Sequence, residues 1–306
     1  MHGKPFSTTS LTTLALVGFA ANSIFCRLAL ADPVIDPASY TAIRVISGAL
    51  TLWMVAGFWR RPAAVESGGG WISAAALFLY ALAFSFAFLS LSAGTGALIL
   101  FAAVQLTMIG TGLWSGERPG TLEWLGLLVA IAGFVYLVFP GLSAPAPLGS
   151  ALMAVAGIAW GIYSLRGRGA ADPVATTAGN FLRAAPLASV AALLWLPALE
   201  ISPKGILWAF LSGSISSGLG YVLWYAALRG LTASRAATVQ LSVPVIAALG
   251  GVLFLSEEIT IRLILSALTI LGGVALAVMA HPAPAAAPNP AVKTPHYAAH
   301  RKGAHR

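Results

Sequence analysis

Residues 121–139 read TLEWLGLLVAIAGFVYLVF, and residues 261–279, which lie 140 positions later, read IRLILSALTILGGVALAVM. Each stretch is long enough to cross a bilayer as a helix, which takes about 20 apolar residues. Neither stretch shows the alternation of apolar and polar residues that is typical of a membrane barrel strand. Gly133 of the first stretch falls on Gly273 of the second. The pair therefore predicts two membrane-spanning helices that are copies of one another.

The composition of the whole chain agrees with this prediction. Of the 306 residues 58% are hydrophobic and 8% are charged, and the mean hydropathy is +0.88. A soluble domain carries about 25% charged residues, so this composition excludes a soluble enzyme or nucleic-acid-binding protein despite the net charge of +8. We predict an all-α integral membrane protein with ten spans, at about residues 10–30, 38–59, 71–91, 94–114, 121–139, 148–166, 174–197, 206–228, 233–255 and 260–280.

The offset of 140 recurs elsewhere in the chain. Asp32 falls on Asp172, and Glu117 falls on Glu257. Each half holds five predicted spans, an odd number, so the second half must cross the membrane in the opposite sense. Inverted repeats give a transporter two nearly equivalent shapes, with the substrate held near the midplane between them. The repeats therefore predict alternating access, and the alternative is a duplication kept only as architecture, as in some channels.

These repeats define the predicted domains. Residues 1–140 form the first five-helix unit and residues 148–280 form the second, inverted unit, while residues 281–306 are Pro/Ala-rich and then basic, which predicts a disordered tail. An inside N-terminus puts twelve Lys and Arg residues in cytoplasmic segments and three on the opposite side. Because cationic loops stay cytoplasmic, we predict a multi-pass protein of the bacterial inner membrane with both termini in the cytoplasm.

Catalytic and metal-binding patterns are missing from the predicted spans. All nine acidic residues lie in loops or at span ends, and the five histidines lie at position 2 and in the tail. The sequence has no cluster for a metal, no Ser–His–Asp set within the spans and no phosphate-binding loop. We expect neither an enzyme nor a cofactor. The expected partners are a small-molecule substrate and membrane lipids rather than nucleic acid, and a monomer is compatible with the sequence.

The position of the acidic residues also bears on coupling. A carrier driven by protons usually needs a titratable group inside the membrane, and no predicted span has one near its centre. We therefore expect facilitated export, or coupling through groups at span ends such as Glu117 and Glu257.

Polar side chains inside the spans are the first candidates for a binding site, because they are costly when they face lipid. These candidates are Asn22, Ser23, Gln105, Asn180, Gln240 and Ser242. Leu98, Phe101 and Gln105 share one face of a helix, which predicts a half-apolar cavity wall. For each polar residue, the alternative is a hydrogen bond that only joins two helices.

Proline and arginine residues within spans are candidates for hinge or structural roles. Pro244 removes a backbone hydrogen bond, which predicts either a hinge and a free carbonyl or a static kink. Arg44 and Arg183 correspond between the two halves with one residue of slippage. A buried arginine needs partners, and it could also bind a carboxylate. Because the arginines recur in both halves, the sequence favours packing over substrate binding.

Several of these residues together resemble a known family. Asn22-Ser23-Ile24-Phe25 with Arg27 in the first span, Arg44 in the second, and a span that contains Pro244 and ends at Glu257 resemble the EamA-type branch of the drug/metabolite transporter superfamily. Within that branch the chain is most similar to the YddG-type amino-acid exporters. One departure is Val104, which stands in the first repeat where Pro244 stands in the second.

The resemblance implies a basket of ten helices around a central cavity that exports amino acids or other small metabolites. It also implies that Tyr80, Phe101, Trp160 and Tyr163 occupy positions where the family's cavity carries aromatic rings. Such rings provide apolar and cation–π contacts, and Trp224 is a further candidate. We predict an exporter of small metabolites, amino acids first and aromatic ones included. The alternatives are an exporter of drugs or other metabolites, and a passive channel or structural membrane protein.

Overall fold

The computed structural model describes residues 7–30, 34–58, 69–114, 120–139, 141, 144–167, 172–228 and 239–280. These residues are nearly all helical, and the β-bridge that they include pairs Ile35 with Ile201. The predictions that concern Asp32, Glu117, the start of the ninth span and the tail at 281–306 lie outside these residues.

The helices begin and end within four residues of the predicted spans wherever those limits are described. The helices are α1 Thr8–Leu30, α2 Pro37–Phe58, α3 Trp71–Ala87, α4 Ala93–Trp114, α5 Thr121–Val138, α6 Pro147–Gly167, α7 Pro173–Leu194, α8 Pro203–Leu211, α9 Gly220–Leu228, α10 Ser242–Leu255 and α11 Ile261–Ala280. A short 3₁₀ turn, Leu196–Ala198, follows α7, and a π-helix, Ser212–Leu219, joins α8 to α9 in one continuous rod. Helix α7 continues through Pro186, which stands inside it.

The helices present large apolar side chains outward. In the described part of the chain six helices are long and apolar enough to cross a membrane, and α3, α10 and most of α11 are shorter apolar helices. Leu128, Leu253 and Leu268 are 59, 76 and 67% exposed. A surface with so many exposed leucines is stable against lipid hydrocarbon rather than water. The six long segments are Thr8–Leu30, Pro37–Gly57, Ala93–Gly112, Thr121–Val138, Pro147–Gly167 and Pro203–Trp224.

Several helices begin with the same local device. The side chains of Asp36 and Asp172 accept hydrogen bonds from backbone N–H groups two or three residues later, and a proline follows each of them. The acceptor satisfies an N–H that has no partner within the helix, and proline suits the first helical position. Asp36 and Asp172 therefore share the role of capping a helix start. The offset of 140 instead aligns Asp172 with Asp32, which lies four residues before Asp36.

Glycines bring α5 and α11 into close contact. A Cβ atom on Gly126 would lie 2.5 Å from the Gly273 carbonyl oxygen and 2.6 Å from the Ala277 nitrogen, so only glycine fits there. Further along α5, Gly133 contacts Thr269 instead. As residue numbers rise along α5 they fall along α11, so the two helices pack antiparallel.

Two glycines of the sixth predicted span, Gly157 and Gly161, lie at a similar contact. Gly157 approaches the Leu100 carbonyl of α4, and Gly161, four residues later, approaches the Val104 carbonyl, which also lies four residues further along its helix. The absence of a side chain on these glycines lets the backbones approach closely. Helices α6 and α4 therefore pack parallel to one another.

Connections between helices meet at one end of the molecule. The Arg27 guanidinium forms an ion pair with Glu257, with 3.0 Å between Nε and Oε1, and its Nη1 donates to the Phe88 carbonyl oxygen at 2.9 Å. The other Glu257 oxygen accepts from the Ala93 backbone N–H at 2.8 Å. This region, called here the Arg27 end, comprises residues 27–30, 34–36, 88–93, 196–202 and 256–262.

Candidate functional site

A cavity lies among α1, α2, α3, α4, α6 and the rod formed by α8, the π-helix and α9. The cavity has a volume of about 20 Å³, which is room for about one water molecule. It is therefore much smaller than a metabolite, and most of its lining residues are buried. Its lining comprises Phe19, Asn22, Ser23, Arg44, Tyr80, Phe84, Leu100, Phe101, Trp160, Ser216, Ser217 and Tyr221.

One wall of this central cavity is aromatic. The ring of Trp160 lies 4.9 Å from that of Tyr80 and 5.1 Å from that of Tyr221, measured between centroids. Phe84 extends the wall at 5.5 Å from Tyr80. Aromatic pairs at these separations attract one another beyond their burial, so the wall is a connected group of rings from three helical segments.

The other wall is polar and ties four helical segments together. Asn22 Nδ2 donates to the Tyr80 hydroxyl at 3.2 Å, and its Oδ1 accepts from Ser212 Oγ at 2.7 Å. Arg44 donates to the same Tyr80 hydroxyl from Nη2 at 2.9 Å and to Ser217 Oγ from Nε at 3.3 Å. The Tyr80 oxygen accepts both of its bonds, which leaves its own O–H hydrogen available to an acceptor in the cavity.

Arg44 supplies the charge of the site. The residue is 2% exposed, and its guanidinium carbon lies 5.1 Å from the Tyr80 ring centroid and 5.0 Å from that of Phe84. Its Nη1 has no hydrogen-bond partner among the described residues, and no Asp or Glu lines the cavity. Since buried charges are normally paired, the cavity carries a positive charge that this part of the chain leaves uncompensated.

The π-helix presents hydroxyl groups to the cavity. Ser216 and Ser217 line it, and the buried Ser216 Oγ lacks a hydrogen-bond partner within the described structure. A side chain on Gly213 would collide with the carbonyl group of Arg44, so the small residue lets the π-helix lie directly on α2. π-Helices occur frequently at functional sites, and this one brings Ser217 to the guanidinium and Ser216 to the same cavity.

The sequence analysis did not predict that serines of the π-helix line the cavity. A signal was present in residues 212–218, SGSISSG, which form a run of small polar residues inside an otherwise apolar stretch. Phe19, Phe84, Leu100 and Tyr221 also line the cavity without having been predicted to do so.

The predicted binding residues divide into three groups. Asn22, Tyr80, Phe101 and Trp160 line the cavity, together with Arg44, for which the sequence favoured packing. Two further predicted aromatics lie behind the lining: Tyr163 contacts Trp160 at 5.5 Å, and Trp224 contacts Phe19 at 5.8 Å.

The remaining predicted binding residues lie elsewhere. Leu98 and Gln105 are buried on α4 but do not line the cavity, where Leu100 and Phe101 stand instead. Helix α4 is largely enclosed by other helices, since 71% of its most apolar 18-residue stretch is buried. A residue on a buried face of α4 therefore does not have to face the cavity. Gln240 and Ser242 are half-buried outside the lining, and Ser242 Oγ donates to the Val239 carbonyl oxygen at 2.7 Å.

The predicted structural residues also have defined places. Pro244 lies in the first turn of α10, directly after a turn at Leu241 that interrupts the helix. The ring cannot donate to the carbonyl four residues earlier, which accounts for the break. Arg183 is half-buried and donates to the Gly179 carbonyl oxygen of its own helix at 3.0 Å. The two arginines therefore have different surroundings, because Arg44 lines the cavity and Arg183 does not.

Comparison with known proteins places this architecture in a family. The family model described as the EamA-like transporter family matches residues 147–279. An uncharacterized protein of Pseudomonas aeruginosa is 51% identical over 270 residues, which is 88% of this chain and 93% of that one. The threonine/homoserine exporter RhtA of Salmonella typhimurium is 30% identical over 237 residues, which is 74% of this chain and 77% of that one.

A solved crystal structure shares the fold. It aligns with a TM-score of 0.65 and 21% sequence identity, and the alignment covers 89% of this chain and 98% of the other. The apolar helices, the similarity to a named exporter and the match to the family model agree with one another. This chain belongs to the EamA-like transporter family of the drug/metabolite transporter superfamily, whose members are multi-pass membrane proteins.

Proposed function

We propose that this protein exports small amphipathic metabolites, amino acids first, by alternating access, and that the central cavity is its substrate site. The observation that carries the proposal is the cavity itself, which has an aromatic wall, a polar wall and one buried cation. Ligand sites in proteins combine mostly apolar walls with a few placed polar groups. An amino acid has the same two-sided character.

The directions of the packed helices support a ten-span arrangement of two inverted repeats, residues 1–140 and 148–280. Under the offset of 140, α5 and α11 are counterparts, and they pack antiparallel as two inverted copies should. Helix α1 also runs antiparallel to the rod that follows α7, because Gly18 contacts Gly220 while Asn22 contacts Ser212. Helices α4 and α6, both even-numbered spans, run parallel.

The closed cavity supports a carrier rather than a continuous pore. Space for about one water molecule cannot hold an amino acid, so the substrate requires the helices to separate. On α1, Asn22 lies five residues from Arg27, which is about 7.5 Å along the helix axis. The Arg27 end therefore covers the cavity, and opening it requires the Arg27–Glu257 ion pair to break.

The orientation in the membrane follows from the Lys and Arg distribution. We place both termini in the cytoplasm of the bacterial inner membrane and the Arg27 end outside. Within this scheme Asn22, Tyr80, Phe101 and Trp160 contact the substrate, and Tyr163 and Trp224 support the rings from behind. The break before Pro244 serves as a hinge of α10.

Counterflow in liposomes tests the proposal. Purified protein is reconstituted, the vesicles are loaded with unlabelled threonine, homoserine or phenylalanine, and uptake of the labelled compound is followed. Threonine and homoserine are named for the Salmonella relative, and phenylalanine represents the aromatic class. A carrier shows saturation and faster uptake with substrate on the opposite side. Flux that is linear in concentration, with no such stimulation for any of a panel of amino acids, would indicate a passive channel.

Labelling of single cysteines tests the inverted topology separately. In a Cys26→Ala background, Asp32→Cys is expected to react with a membrane-impermeant thiol reagent from outside the cell, and Asp172→Cys only after the membrane is opened. Reaction of both positions from the same side would overturn the inverted repeat.

A further inference from the structure

We infer that Arg44 and the π-helix serine Ser216 bind the carboxylate group of the transported molecule, so that the substrate class is carboxylic acids, amino acids among them, and not amines. This inference rests on the proposed function, because it takes the central cavity to be the substrate site. It adds the group that the cavity recognises and the residues that recognise it.

The guanidinium of Arg44 is built to receive an acceptor. Two of its nitrogens, Nη2 and Nε, are held by Tyr80 and Ser217, and its plane lies near the rings of Tyr80 and Phe84. The third nitrogen, Nη1, is buried and has no partner in the described part of the chain. Because a buried polar group without a partner costs free energy, an acceptor supplied by the substrate is the natural complement.

A second unpaired group lies in the same cavity. Ser216 is 1% exposed and lines the cavity, and its Oγ also lacks a partner among the described side chains and backbone. The Tyr80 oxygen accepts hydrogen bonds from Asn22 and Arg44, and neither bond uses its own O–H hydrogen. One guanidinium N–H and two hydroxyl groups form a set of donors, which is what a carboxylate with two acceptor oxygens requires.

The charge of the cavity selects against amines. With no Asp or Glu in the described lining, a primary amine without a carboxylate would bring a second positive charge next to Arg44, which is unfavourable at low dielectric. A carboxylate neutralises the guanidinium with one negative charge. The ammonium group of an amino acid then remains near the carboxylate to which it is bonded, and the rings of Trp160 and Tyr221 can face the substrate's apolar body.

A matched set of ligands tests this selectivity on the unmodified protein. L-Phenylalanine and 3-phenylpropionate carry the carboxylate, whereas L-phenylalaninamide and 2-phenylethylamine lack it and keep the ring. Binding is measured by the quenching of tryptophan fluorescence and by the thermal shift of the purified protein, which do not depend on transport. The two acids are expected to bind at least about tenfold more tightly than the two amines, the factor of a charged hydrogen bond.

Substitution of the arginine tests the assignment of the residue. Arg44→Gln keeps side-chain hydrogen bonding but removes the charge, and it should reduce the preference for acids over amines to about threefold or less. Arg183→Gln is the matched control, since that arginine lies outside the cavity, and it should keep the full preference. A merely structural role of Arg44 would lower folded yield and leave the preference unchanged.

The outcomes separate the inference from the proposed function. Equal binding of acids and amines by the unmodified protein, or an unchanged preference in folded Arg44→Gln, would overturn the inference even if counterflow of amino acids were observed. Preferential binding of the acids, lost in Arg44→Gln, would support it even if counterflow failed and the protein proved to be a channel. If Arg44→Gln does not fold, the ligand set on the unmodified protein decides.

Discussion

Arg27 and Arg44 are carried by α1 and α2, which are consecutive in the chain, but their surroundings differ in one respect. At the Arg27 end, the guanidinium has a carboxylate partner in Glu257 and a carbonyl partner at Phe88. In the central cavity, the Arg44 guanidinium has only neutral partners, and its Nη1 has none among the described residues. The same side chain is thus electrically neutralised in one region and left charged in the other.

The difference separates two uses of a buried cation. A charge whose partner belongs to the same chain joins helices, and here it joins α1 to the connection between α10 and α11 and to the start of α4. A charge without such a partner is stable only if something else supplies the acceptor. Under the function proposed above, the paired region is the closure of the molecule and the unpaired region is the place for a ligand.

The largest expected effect comes from locking the closure. In a Cys26→Ala background, Ile35→Cys and Ile201→Cys would face each other across the β-bridge, where paired residues lie close enough for a disulfide. Oxidation should abolish counterflow, because the Arg27 end can no longer open, and reduction should restore it. Single-cysteine variants are the control. A cross-linked protein that exchanges substrate at the normal rate would show that this end does not move.

The next effect contrasts the two arginines directly. Arg44→Ala should weaken substrate binding by about a hundredfold, since a charge-assisted hydrogen bond and its contacts are lost. Arg27→Ala should change the counterflow rate but leave the binding affinity within about threefold, or about 0.7 kcal/mol, because Arg27 does not line the cavity. For each variant, the binding affinity and the exchange rate come from the concentration dependence of exchange. If Arg27→Ala weakened binding as much as Arg44→Ala, the distinction between closure and site would be wrong.

A smaller effect concerns the energy of the closure itself. Arg27→Ala and Glu257→Ala should each lower the free energy of unfolding by about 1–2 kcal/mol, because the pair is mostly shielded from solvent. The double variant should cost less than the sum of the two, with the difference measured by a double-mutant cycle in detergent–SDS titrations. Strict additivity would mean that the ion pair contributes no coupling. Arg262→Ala is a control arginine at the same end.

The smallest effect concerns the π-helix hydroxyls. Ser216→Ala should weaken substrate binding by about threefold, the size of one neutral hydrogen bond. Ser214→Ala is a closely matched control, because Ser214 is also buried and unpartnered in the described structure but does not line the cavity. The comparison is made on binding constants from fluorescence quenching. Equal effects of the two substitutions would remove Ser216 from the site.

The sequence was informative where a physical rule acts locally. Apolar runs of about 20 residues locate helices because each must satisfy its own backbone in lipid, and the helix ends agree with the predicted spans. The depth of Asn22 within its apolar run was enough to propose a cavity residue, whereas Tyr80, Phe101 and Trp160 were proposed from the resemblance to the family. Leu98 and Gln105 lie outside the cavity lining, because α4 is buried on several faces and periodicity alone does not distinguish the cavity from helix packing.

The correspondence seen in the sequence does not extend to the surroundings of the two arginines. Arg44 and Arg183 correspond under the offset, which favoured a shared packing role. In the structure Arg183 bonds to Gly179 on its own helix, whereas Arg44 contacts the rings of Tyr80 and Phe84 and the hydroxyl of Ser217 from other segments. Matching positions in a sequence thus do not imply matching surroundings.

The membrane class, the location of the helices and the offset of 140 between matching positions could be predicted from the residues alone. Each of them depends on apolar runs and spacings that can be counted along the chain. Tertiary structure alone decided which charges are paired. Arg27 and Glu257 lie 230 residues apart, and Arg44 and Ser217 lie 173 apart. Only the packing of the helices brings such distant groups within hydrogen-bonding distance. The same packing leaves Nη1 of Arg44 without a partner among the described residues.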